Sequence, residues 1–90
     1  MNSKVDDAVQ VFRSVASDPA KLATVCQLAK VIDEAGDHLD ASTEEKIQSI
    51  VKQVGPEFET AWNLGDDLDE DSPDAVAYDA ALEELSSKCN

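Results

Sequence analysis

Apolar positions recur at three- and four-residue spacing along nearly the whole chain, and cap-forming residues interrupt them at well-marked points. Val5, Ala8, Val9, Phe12, Val15 and Ala16 form one stripe of a helix that Ser3 can cap, with Asp6 and Asp7 near its positive N-terminal end. Asp18-Pro19 predicts a restart, with the carboxylate as cap and proline at the first helical position, where its missing N–H costs nothing. Leu22, Val25, Cys26, Ala29 and Ile32 then make an inner face, and Gly36 ends the helix. Ser42-Thr43-Glu44-Glu45 has the capping-box spacing and opens a third helix through Ile47, Ile50, Val51 and Val54. Gly55-Pro56 stops that helix and starts a short fourth one lined by Phe58, Ala61, Trp62 and Gly65. Ser72-Pro73-Asp74 opens a fifth, whose buried face is Ala77 or Tyr78 with Ala81, Leu82, Leu85 and Cys89. No stretch alternates with period two over a useful length, so a sheet is not expected. The predicted fold class is all-α: a compact bundle of about five short helices, one domain over residues 1–90.

Charge changes the picture more than size does. Twenty acids oppose seven bases, for a formal charge of −13 and a pI near 4.1. Such a chain repels phosphate backbones and anionic lipid, so neither nucleic acid nor membrane is expected as a partner. The excess is lopsided. Residues 1–56 carry nine acids and six bases (−3), residues 57–90 eleven acids and one base, Lys88 (−10). No basic side chain stands between Lys52 and Lys88.

The densest acid lies at residues 66–74, where Asp66, Asp67, Asp69, Glu70, Asp71 and Asp74 crowd one stretch. Asp67, Asp69 and Asp71 copy the opening of an EF-hand loop, because hard divalent cations want several oxygen ligands at alternate loop positions. The copy then fails: Ser72 stands where the turn needs glycine, Pro73 follows, and Tyr78 stands where a bidentate glutamate should close the shell. A weak Ca²⁺ site, a solvated loop capping the fifth helix, and a negative surface for a basic partner are the three readings of this stretch.

Catalytic signatures are missing from the sequence. His38 is the sole histidine, placed between two predicted helices, and there is no nucleophile elbow, phosphate-binding glycine loop or zinc-protease motif. A general acid needs a buried carboxyl of raised pKa, whereas these carboxyls crowd a charged loop. No catalytic residue, cofactor or enzymatic activity is expected. Trp62, on a helix so short, is the expected member of any exposed apolar contact surface.

Cys26 and Cys89 both fall on apolar stripes facing one small core, which permits a disulfide; two unrelated reduced thiols are the alternative. With no CxxC and only His38 as a further soft ligand, zinc is not expected. The start of the chain has no apolar signal region, leaving both a cytoplasmic protein and a mature exported one open.

The stretches Gly55-Pro56-Glu57-Phe58-Glu59-Thr60-Ala61-Trp62, Asp71-Ser72-Pro73-Asp74 and Ser87-Lys88-Cys89 give the chain a layout that resembles small exported acidic helical proteins of proteobacteria with no assigned activity, mainly over residues 22–90. The resemblance implies a periplasmic address and a Cys26–Cys89 bridge, and it implies no mechanism. The expectation is therefore a non-enzymatic acidic binding or structural module, periplasmic or secreted if disulfide-bonded and otherwise cytoplasmic. Its acidic C-terminal surface would meet a basic protein or cations. The alternatives are a cytoplasmic acidic inhibitor or DNA mimic, and a weak divalent-cation binder through residues 66–74.

Overall fold

Each helix boundary is a local contest between backbone groups and nearby side chains. A computed structural model describes residues 3–36, 38 and 40–89. It contains five helices: α1 (Ser3–Ala16), α2 (Pro19–Ala35), α3 (Ala41–Val54), α4 (Pro56–Leu64) and α5 (Pro73–Ser87), with a short 3₁₀ turn, Gly65–Asp67, after α4. No strand occurs among the described residues.

The Asp18 carboxylate accepts hydrogen bonds from the backbone N–H groups of Ala20 and Lys21 at 3.1 and 3.2 Å, directly before Pro19. Ser72 does the same for α5, accepting from the Ala75 N–H at 3.1 Å. Gly55, at φ 142°, ends α3 and precedes Pro56 of α4, a conformation that a side chain would strain. Two expected caps move. Ser3 is already helical, so it stands inside the first turn of α1 and does not cap it.

The cap of α3 is Asp40, two residues before the expected Ser42. Its carboxylate accepts from the Thr43 N–H at 2.8 Å and from the Ser42 hydroxyl at 3.1 Å. One carboxylate thus takes two donors, and the helix gains backbone bonds by starting earlier. Those bonds, the Thr43 N–H first, hold the Asp40 carboxyl below its ordinary value of 3.8. A lowered value means the cap favours folding above pH 3.8 and fades as acid protonates it.

Phe12 occupies the junction of α1, α4 and α5. It meets Phe58 edge-on with ring centroids 5.7 Å apart and Tyr78 at 5.3 Å, and Phe12 and Phe58 are each only 1% exposed. Val5, Val51, Val54 and Leu85 complete this core. The radius of gyration, 12.6 Å, is close to the ~12 Å of a well-packed domain of this length, so the helices share one core.

Tyr78 rather than Ala77 takes the inner position on α5. Its hydroxyl donates to the Ala61 carbonyl at 2.6 Å and shares that proton with the Trp62 carbonyl at 2.9 Å. These carbonyls belong to the last turn of α4, where helical partners run out. Gly65, expected as a lining residue of the fourth helix, lies in the 3₁₀ turn against the Tyr78 ring. A Cβ there would stand 2.9 Å from the Tyr78 oxygen, so only glycine lets the ring close.

Burial pushes the Tyr78 phenol up to about 12, partly opposed by the Gly65 backbone N–H. Because the folded value lies above the ordinary 10.0, this contribution to stability is complete below pH 10 and is lost as pH rises toward 12. Urea unfolding at stepped pH is expected to show the wild type weakening through that window and a Tyr78→Phe variant weakening less. Parallel declines would place the alkaline sensitivity elsewhere.

The inner face of α2 is rotated from the expected one. Val25 and Leu28 are buried, while Leu22, Ala29 and Ile32 are half-exposed. The cause is lateral: α2 packs mainly on α3 and touches α5 only sparingly, so the Ala29–Ile32 side looks across a gap. Cys26 and Cys89 span that gap in a disulfide, with Cα atoms 5.4 Å apart at a sequence separation of 63. Cys89 lies in a turn just past α5 rather than on its apolar stripe; its N–H donates to the Ser86 carbonyl at 3.1 Å.

Candidate functional site: an acidic turn and an apolar groove

The acidic stretch is built by its neighbours. After the 3₁₀ turn, Leu68 tucks half-buried against the core and forces its polar flanks outward. Ser72 then closes the next turn: its hydroxyl donates to the Asp69 carbonyl at 2.7 Å, and its N–H reaches the same oxygen at 2.9 Å. Asp66, Asp67, Asp69, Glu70 and Asp71 are consequently all exposed, and Asp74 is half-buried in the first turn of α5. A carboxylate there is favoured by the helix dipole.

Asp67, Asp69 and Asp71 do not come together around a point. Among the described residues, no three histidine, cysteine or acidic side chains are arranged to hold a metal ion. The acid points to solvent. It continues along α5, where Asp79, Glu83 and Glu84 are exposed. His38 is exposed between α2 and α3, its N–H donating to the Ala35 carbonyl at 2.9 Å; residues 37 and 39 lie outside the described ones.

The gap between α2 and α5 forms an open groove of ≈ 330 Å³, floored by Phe58 and Trp62 of α4. Val25, Ala29 and Ile32 line one wall and Leu82 and Leu85 the other, with Asp33 and Glu83 at the edges. Trp62 stacks on Phe58, ring centroids 6.1 Å apart at 24°, and is half-buried. A second hollow of ≈ 480 Å³ between α1 and α4 includes Lys4, Asp7, Glu57 and Asp67, a lining of both signs. Sequence reasoning placed Ile32, Ala29 and Leu82 in the core, gave Asp33 no role and counted Glu83 only within the acidic C-terminal surface. Their shared groove depends on the α2–α5 spacing, which has no local signal.

No helix among the described residues is long and apolar enough to cross a membrane. No family model matches the chain, and neither does any curated protein or solved structure.

Proposed function

We propose that the chain is a non-enzymatic binding module, exported and locked by its disulfide, whose acidic C-terminal half meets a basic protein. The observation that carries this reading is the exposure of Asp66, Asp67, Asp69, Glu70, Asp71, Asp79, Glu83 and Glu84 along a stretch with no basic side chain between Lys52 and Lys88. One-signed charge fixed on a rigid surface steers an oppositely charged partner and makes encounter fast and salt-sensitive. Exposed carboxylates suit encounter rather than proton transfer, which calls for a shielded acid. Export is supported by the bridge, because disulfides persist in oxidising compartments, and by the resemblance to small exported acidic proteins.

The test is location, not total charge. Association with poly-lysine as a basic probe is expected to slow when Asp67, Asp69 and Asp71 are all changed to asparagine. It should stay near the wild-type rate when Asp6→Asn, Glu34→Gln and Glu45→Gln remove the same charge from the N-terminal half.

A further inference from the structure

The carboxylates say which charge a partner carries but not what seats it. The groove between α2 and α5 does. Its floor and walls include Trp62, Ile32, Ala29 and Leu82, apolar side chains that are only partly buried. Asp33 edges the groove from α2 and Glu83 from α5, and among the described residues no basic one lines it. On α5, Val76, Asp79 and Glu83 fall at helical spacing on one side, and among the described residues Val76 is the one large apolar residue that is well exposed, at 63%.

Resting on the binding reading above, we propose that this groove seats a cationic amphipathic helix of the partner, its apolar face on Trp62, Ile32 and Leu82 and its lysine or arginine side chains against Asp33, Glu83 and Asp79. Three arguments select this occupant. The groove is an open channel between two helices, the shape into which a third helix lays its apolar stripe. Its acidic edges repel fatty acids and anionic lipid, whose headgroups would lie beside Asp33 and Glu83. A second copy of the chain would bring another −13, which opposes self-association through this face.

The probe is a leucine–lysine peptide of about four helical turns, long enough to run the length of the groove. Controls are a scrambled peptide of the same composition and a leucine–glutamate counterpart. With the wild-type protein, a saturable shift of Trp62 fluorescence is expected, together with amide shifts at Ala29, Ile32, Leu82 and Glu83. The scrambled peptide should bind at least about tenfold more weakly, ~1.4 kcal/mol, and the glutamate peptide not at all. Leu82→Gln, verified as folded by circular dichroism, should weaken binding by a similar factor. Should that variant unfold, the wild-type amide map decides.

Equal binding of ordered and scrambled peptides, or amide shifts confined to residues 66–74, would overturn the groove as the seat. Occupation by a cationic detergent monomer but not by the peptide would overturn the helix as its occupant. The two readings fail separately. Salt-sensitive association that leaves Trp62 unmoved sinks the groove alone, while a Trp62 shift with rates indifferent to the Asp67, Asp69 and Asp71 changes sinks the acidic surface alone.

Discussion

Replacing Cys26 and Cys89 together with serine is expected to remove about 4 kcal/mol of stability, from the loop entropy of a 63-residue closure. That is a large share of what a domain this small commands. The melting temperature should fall by roughly 15–30 °C, at ~4–8 °C per kcal/mol for this size. The loss should also be localised. α2 is anchored on α3 and meets α5 sparingly, so hydrogen exchange should quicken first in the second half of α5 and along the Ala29–Ile32 side of α2. Counting thiols on the native protein checks the premise: none should react before reductant and two after it. Two reactive thiols in the unreduced protein would remove the bridge and, with it, the support for export.

Phe12→Ala is expected to cost about 3–5 kcal/mol, as much as the disulfide. The ring is 1% exposed and is the shared neighbour of Phe58 and Tyr78, so its removal leaves a cavity where α1, α4 and α5 meet. Collapse into that cavity is resisted from two sides. Phe58 is held by its own stacking on Trp62, and Tyr78 is tethered by its hydroxyl to the end of α4. Urea unfolding should show the midpoint falling steeply, whereas Val76→Ser, at a residue 63% exposed, should stay within about 0.5 kcal/mol of wild type. Comparable small losses in both would mean that Phe12 is not the keystone of this junction.

The contrast between legible and illegible features follows the range of the forces involved. Asp18-Pro19, Gly55-Pro56 and Ser72-Pro73 mark helix starts because a cap is settled within a few residues, and the structure places α2, α4 and α5 at those points. The start of α3 was a closer contest. Asp40 and Ser42 are both good caps, and the carboxylate prevails because it can accept from Thr43 and from Ser42 itself. Periodicity identified α2 as amphipathic but not which neighbour its stripe would face. Val25 and Leu28 go into the core, and Ala29 and Ile32 are left partly buried across from Leu82. The acidic stretch was visible as composition. Its outward presentation depends on Leu68 turning in and on Ser72 closing the Asp69 turn, both tertiary details.

The central claim is that charge acts by position, with the C-terminal half as the encounter surface. It is tested most directly by the association rate with poly-lysine across a series of ionic strengths, for the two variants that each remove three carboxylates. The Asp67→Asn, Asp69→Asn, Asp71→Asn protein is expected to associate roughly tenfold more slowly than wild type at low salt and to lose much of its salt dependence. The Asp6→Asn, Glu34→Gln, Glu45→Gln protein should follow the wild-type curve. Superimposable curves for the two variants would contradict the claim and reduce the acid to bulk charge.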